Sequence, residues 1–329
     1  MASPDTRTIT LVDIPLLRRL SSNSMILDSE MGLTRDARGA HSALLSNILF
    51  SRGVYTLVAR SDHQHVVGQF RYRQEDLNAH IVYLAPTLAD DTENTIWLHI
   101  LDAMAREAGK HGAHALVAEV EPDSHLFQTL RTARFATYAR QTIWRHTPVK
   151  GDKTQAANRI RPETGNDQVG IMSLICSTIP PMIQQVMAPP GDMNGWVYRK
   201  NGQVEAYIAV SEGDQGIYVL PYIHPDVMSE AADILEAVLV QQDAAQKVPI
   251  YVCVRSYQAW LETALQTLAF EAWVEQAIMV KHIAAGIRQQ AYSPLKLKGK
   301  LETVQNIAPP IRCTLDPPGT EDKTMTPVG

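Results

Sequence analysis

Displacing the sequence by 135 residues against itself brings two stretches into register, and this self-similarity constrains the chain more than any other feature. Leu126, Leu130, Thr132, Phe135, Gln141 and Ile143 fall on Leu261, Leu265, Thr267, Phe270, Gln276 and Ile278. Chance would give about one identity in the eighteen positions 126–143; there are six. The same displacement sets Tyr83 on Tyr218, Val117 on Val252, and the apolar run Ala115 to Ala118 on Ile250 to Cys253. A period of this length is that of a domain, not of a solenoid repeat. Two copies of one domain are therefore expected.

The length of 329 residues suits about two domains at roughly 150 residues each. Thr147 to Asn158 is polar and without apolar periodicity, which reads as a linker. The expected boundaries are 1–146 for copy one, 147–157 for the linker and 158–289 for copy two. A Pro-rich extension follows at 290–329. Its prolines exclude a long helix, and disorder is expected from Leu315 onward. The charge sum of −5 comes from scattered residues of both signs, so no basic stripe suits a nucleic acid. No run of about 18 apolar residues suits a membrane-spanning helix, and the N-terminus lacks a signal-peptide pattern. The three cysteines (Cys176, Cys253, Cys313) are far apart and odd in number, which fits a reducing cytoplasm better than a disulfide framework.

Within each copy the order of elements is similar. In copy one, strands are expected at 8–12, 55–60, 66–73, 79–85, 116–120 and 137–145. Helices are expected at 16–20, 92–109 and 124–134, the second with Ile96, Trp97, Ile100, Leu101, Met104 and Ala108 at helical spacing. Copy two repeats this with strands at 159–162, 196–199, 204–210, 216–221, 250–254 and 273–281. Its helices are expected at 169–176, 228–242 and 258–268.

This order resembles the GNAT-type N-acetyltransferase fold. The opening of copy two, Ile160-Arg161-Pro162-Glu163-Thr164-Gly165-Asn166-Asp167, is similar to that family's common start. The endings Ala133-Arg134-Phe135 and Leu268-Ala269-Phe270 are similar to the close of its fourth helix. The resemblance implies an α/β fold of tandem GNAT-like domains, each a mixed, mostly antiparallel sheet flanked by helices. It also implies acyl-CoA-dependent N-acyl transfer, with acetyl-CoA or another acyl-CoA as cofactor and a small-molecule amine as acceptor. Tandem members of the family exist, such as mycothiol synthases.

The family grips pyrophosphate with a Gly-rich stretch before the long helix, where backbone N–H groups must approach closely. The corresponding stretch of copy one, Pro86 to Glu93, has no glycine and carries Asp90, Asp91 and Glu93, which suit helix capping and repel phosphate. That of copy two, Tyr222 to Glu230, also lacks glycine but has fewer acids. Copy two is thus the better candidate, with Val219, Leu220, Pro221, Val227, Met228 and Ser229 as its cofactor-binding residues. The family's usual tyrosine acid is replaced by Leu130 and Leu265, and its frequent asparagine by Asp123 and Gln258.

Glu119 is a charge inside an apolar strand and is the candidate catalytic base. Arg255, Ser256 and Tyr257 follow the matching strand of copy two and are the candidate substrate-cleft residues. His63-Gln64-His65 has a spacing that could hold a metal, but a solvated turn is the simpler reading. His111 and His114 sit where a cation complements a helix end. Cys253 is expected to be an inert buried thiol. Two functions follow: an acyl-CoA-dependent N-acyltransferase, or a catalytically silent GNAT-fold module that binds a ligand or a protein. No membrane or nucleic-acid partner is expected.

Overall fold

A computed structural model describes residues 5–21, 23–35, 53–61, 64–73, 76–88, 95–147, 160–184, 186, 193–242, 245 and 247–283. Chain contacts separate residues 1–286 from 287–329, and every described residue lies in the first unit. The expected linker beyond Thr147 and the extension 290–329 fall outside the described residues. So do Asp90, Asp91, Glu93, His63 and Cys313.

Copy one runs β1 (Asp5–Thr8), α1 (Ile14–Ser21), β2 (Met25–Ile26), α2 (Ser29–Thr34), β3 (Val54–Arg60), β4 (His65–Arg71), β5 (Asn78–Ala85), α3 (Thr95–His111), β6 (Ala115–Val120), α4 (His125–Thr132) and β7 (Ala136–His146). Copy two runs β8 (Ile160–Pro162), α5 (Gln168–Thr178), α6 (Pro181–Gln184), β9 (Asn194–Lys200), β10 (Gln203–Glu212), β11 (Ile217–Ile223), α7 (Ala231–Gln241), β12 (Ile250–Arg255), α8 (Leu261–Thr267) and β13 (Glu271–His282). The fold is α/β, a mixed and largely antiparallel sheet with flanking helices. One sheet runs β1-β3-β4-β5-β6-β13-β7-β12-β11-β10-β9-β8, with β2 attached to β5. Among the described residues only β5–β6 and β11–β12 pair in parallel, each joined by a crossover containing a long helix.

Read from its two ends inward, the sheet has the same order in both copies, except that the last strands are exchanged. β13 lies beside β6 of copy one, and β7 lies beside β12 of copy two. β7 and β13 pair with each other, and Gln141 faces Gln276. Those two residues are each other's equivalents under the displacement of 135, so the pair sits on the pseudo-twofold axis. The cores follow the exchange. Ala277 and Met279 join the core around α3, and Trp144 joins the core around α7.

Several local expectations change for physical reasons. The first strand is Asp5–Thr8, not 8–12, because Thr10 and Asp13 form a capping box that starts a 3-10 turn at Leu11–Asp13. Gly109 stays inside α3, and the helix ends at Gly112, whose φ of 105° suits a residue without Cβ. The expected helices at 228 and 258 begin only at Ala231 and Leu261, each after 3-10 turns. β11 continues through Pro221 to Ile223. The Pro221 carbonyl points away from β10, and so does its nitrogen, so the missing N–H costs no ladder bond there. Asn78 pairs with Ala115 where Ile217 pairs with Ile250, which makes Tyr222, not Tyr218, the equivalent of Tyr83. Among the described residues no helix is long and apolar enough to cross a membrane.

Candidate functional site

In each copy the two parallel strands pair over only three residues and then part. Ligands of α/β proteins bind beyond the carboxyl ends of such strands, where parting leaves backbone groups free. In copy one the gap is filled by the chain itself. Met25 and Ile26 pair with Leu84 and Tyr83, and Leu27 N donates to Val82 O at 2.9 Å. On the other side Glu119 N donates to Leu27 O, also at 2.9 Å. Leu27 thus acts as a rung between β5 and β6, with its side chain buried in the core.

Glu119, the candidate base, belongs to this closed gap. One carboxylate oxygen accepts from Ser29 N at 2.8 Å. Burial pushes the carboxyl up from its ordinary range, with Asp28 adding to the effect and the hydrogen bonds from Ser29 opposing it. Around it a polar network joins the copies. Ser29 Oγ and Gln141 Nε2 both donate to Gln276 Oε1 at 2.9 Å, and Cys253 Sγ donates to Gln141 Oε1 at 3.2 Å. Arg71 bonds Asp28 and Glu30, and Ser211 Oγ of copy two donates to Glu30. α2 leans so closely on copy two that a Cβ at Gly216 would stand 2.6 Å from Leu33 O. Cys253 is fully buried, and burial pushes its thiol up to about 11, which leaves it an unreactive thiol.

In copy two the carbonyl equivalent to Val82 O is that of Pro221, and it accepts from Gln258 Nε2 at 3.0 Å. Arg255 is 4% exposed and its Nη1 donates to Tyr222 OH and Tyr257 OH, each at 3.3 Å. Its guanidinium lies 5.5 Å from the Tyr222 ring centre. Arg255 and Ser256 line a cleft of about 220 Å³ together with Arg140, Thr142, Glu262 and Glu275. Tyr257 is half-buried beside Arg255. Arg255 and Ser256 thus border this cleft, whereas Tyr257 contacts Arg255 without lining it.

The expected cofactor-binding residues divide. Val219, Leu220, Pro221 and Val227 are buried, whereas Met228 and Ser229 are exposed. The helix start they flank is satisfied from within. His224 Nδ1 accepts from Asp226 N at 3.3 Å, Val227 N donates to His224 O, and Ala231 N donates to Met228 O. Pro225 has no N–H. Asp226 is exposed, while Glu230 accepts from Tyr198 OH at 2.5 Å and Lys200 Nζ at 2.6 Å. Occupied amides and two carboxylates do not fit a pyrophosphate. Leu130 and Leu265, at the family's acid position, are fully buried and carry no proton to give.

Sequence reasoning missed Leu27 and the Ser29–Gln276–Gln141 network. The pair Gln141/Gln276 was visible as a repeated polar residue in apolar strands. Nothing in Met25 to Ser29 marks a strand two residues long. His111 stacks on Tyr55 at 4.1 Å and lies 3.5 Å from Glu107, which suits its place in the last turn of α3.

No protein-family model matches the sequence, and no curated protein sequence matches it. Solved structures match throughout the two copies. A GCN5-related N-acetyltransferase from Sphaerobacter thermophilus superposes with a TM-score of 0.51 at 10% identity, over 86% of this chain and 96% of that one. A protein from Pyrococcus horikoshii assigned as an acetyltransferase gives 0.51 at 11% identity, over 86% and 90%. The fold of this chain is that of the GNAT N-acetyltransferases.

Proposed function

We propose that this chain is a GNAT-fold ligand-binding module that does not transfer an acyl group. The observation that carries the reading is Leu27, whose main chain bonds both strands of the gap in copy one. A cofactor would have to displace a buried leucine and two ladder bonds to enter. In copy two the self-capped helix start and the buried Leu265 point the same way. The test is calorimetry of the intact chain with acetyl-CoA and with CoA. No heat and no rise in melting temperature at millimolar ligand are expected; saturable binding of either compound would refute the reading.

An acyl-CoA-dependent N-acyltransferase working from copy two is the second reading. It is favoured by the gap between β11 and β12, which among the described residues is bridged by the Gln258 side chain and not by a strand. In that case acetyl-CoA binding would be abolished by changes in copy two alone.

A further inference from the structure

Side chains alternate along β12, so Tyr251, Cys253 and Arg255 face the core packed under α5, while Val252 and Val254 face the core under α7. On its face Arg255 is surrounded by the phenols of Tyr222 and Tyr257 and the thiol of Cys253, with no carboxylate in ion-pair distance among the described residues. Its Nη1 donates to both phenols at 3.3 Å, its Nε is buried without a hydrogen-bond partner, and its Nη2 makes no hydrogen bond among the described residues. Arg71, the comparable buried arginine, instead holds Asp28 at 2.6 Å and Glu30 at 2.8 Å. Glu119 feels the charge of Arg255 but is committed to Ser29 N. Glu262 and Glu275 do not serve, because they lie on the opposite face, where Val254 and Glu275 both pair with Thr142. A guanidinium taken out of water without a counter-ion is costly. Its charge is delocalised, so an anion at one free nitrogen offsets the whole group.

The surroundings set the chemistry of that anion. Tyr222 and Arg255 both lie past the last paired residues of β11 and β12, at the carboxyl end where α/β proteins hold ligands. Arg255 supplies one positive charge with Glu119 in electrostatic reach, which suits a monoanion and disfavours a phosphate dianion. A planar guanidinium matches a planar carboxylate. Tyr222 is fully buried and Tyr257 half-buried, so the trio comes nearest to solvent at Tyr257. The Tyr257 hydroxyl accepts from Nη1 and has no acceptor for its own proton among the described residues, which leaves that proton for a carboxylate oxygen. The Tyr222 ring, 5.5 Å from the guanidinium and packed against Tyr207, fixes the group from the buried side. We infer that Arg255 and Tyr257 hold the carboxylate of a small monocarboxylic acid at the open end of the β11–β12 gap, with Tyr222 positioning the guanidinium. The inference rests on the reading of the chain as a binding module and names its ligand class.

The experiment titrates acetate, propionate and benzoate into the full chain, in buffer free of other carboxylates, by calorimetry and thermal shift. Propionamide, propylamine and inorganic phosphate serve as controls, and acetyl-CoA is run in parallel. At least one carboxylate should bind saturably, whereas propionamide, with the shape of propionate but no charge, should not. Arg255→Gln should weaken that carboxylate by at least about tenfold, as the loss of a charge-assisted hydrogen bond requires. Because Arg255 is buried, Tyr257→Phe provides a second arm nearer to solvent, and it should weaken the carboxylate by about threefold or more. No binding by any of the three acids, or equal binding by propionamide or phosphate, would overturn the proposal. So would unchanged affinity in either variant. Binding of acetyl-CoA alongside a carboxylate would sink the module reading and leave the carboxylate site standing. If neither binds, the site falls and the refusal of CoA stands.

Discussion

Arg7, Thr10 and Asp13 tie the opening of copy one as Arg161, Thr164 and Asp167 tie that of copy two. In each, the arginine grips the aspartate with both Nη atoms, at 2.7 and 2.9 Å in copy one and 2.8 and 2.7 Å in copy two. The threonine N and Oγ1 bond the same carboxylate, and Arg60 or Arg199 reaches it from the neighbouring strand. The spacing Arg-x-x-Thr-x-x-Asp was legible in both copies, but at a displacement of 154, so a search at 135 passes over it. Hydrogen bonds from Arg7 and Arg161 hold Asp13 and Asp167 well below the ordinary carboxylate range, while burial opposes them. A lowered pKa in the folded state gives stability that is complete above about pH 4 and is lost as pH falls towards the folded value. Glu119, whose carboxyl is raised, works in the opposite sense, favouring the folded state below pH 4. Two strongly lowered groups outweigh it. The melting temperature should therefore drop steeply from pH 4 to pH 2, and Asp167→Asn should flatten that slope while lowering stability at pH 7. An unchanged slope would remove the knots from the account of stability.

At the scale of elements, the helix endings repeat most faithfully. α4 and α8 both close with a bond from the phenylalanine N–H to the leucine carbonyl five residues back, Phe135 to Leu130 at 3.0 Å and Phe270 to Leu265 at 2.9 Å. The preceding residues, Arg134 and Ala269, take φ of 67° and 59°. This is the left-handed close that glycine favours. The repeated Leu and Phe announced these endings in the sequence, since the motif needs an apolar contact across the cap. All four side chains are buried. Ala269→Gly should stabilise the chain by about 1 kcal/mol, because the Cβ strain disappears. Phe270→Ala should cost about 3–5 kcal/mol. Urea unfolding measures both, and a destabilising glycine would contradict the cap. Strand β2 was not legible. Between the opening motif and the first parallel pair the displacement falls from 154 to 139, so copy one is fifteen residues longer there, and Met25 to Ser29 lie in that stretch. A strand of two residues has no period to read, and its role as a rung is decided by β5 and β6, which are distant in sequence.

For the whole molecule, the exchange of last strands decides what can fold alone. The sequence showed two copies but not which sheet each last strand joins. β7 and β13 carry the same Gln and Ile in equivalent places, so β6 and β12 each have two suitable partners, and chain topology makes the choice. We propose 147–157 as a linker between copies that are separate in sequence and shared in structure. A fragment ending at Thr147 keeps β6 but loses β13, which leaves a bare β6 edge inside what was a continuous sheet. Its own β7 would lack both β12 and β13. Two such fragments can satisfy each other by setting β7 of one beside β6 of the other, in the place β13 holds in the full chain. The arrangement is a symmetric dimer with Gln141 facing its own copy on a true twofold axis. Fragment 1–147 is therefore expected to sediment as a dimer at micromolar concentration and to unfold with a concentration-dependent midpoint. The full chain, which already contains the exchange internally, should unfold independently of concentration. A fragment that sediments as a folded monomer would mean that β7 can turn back onto its own β6, and that the exchange follows from joining the two copies and not from an edge that neither can cover alone.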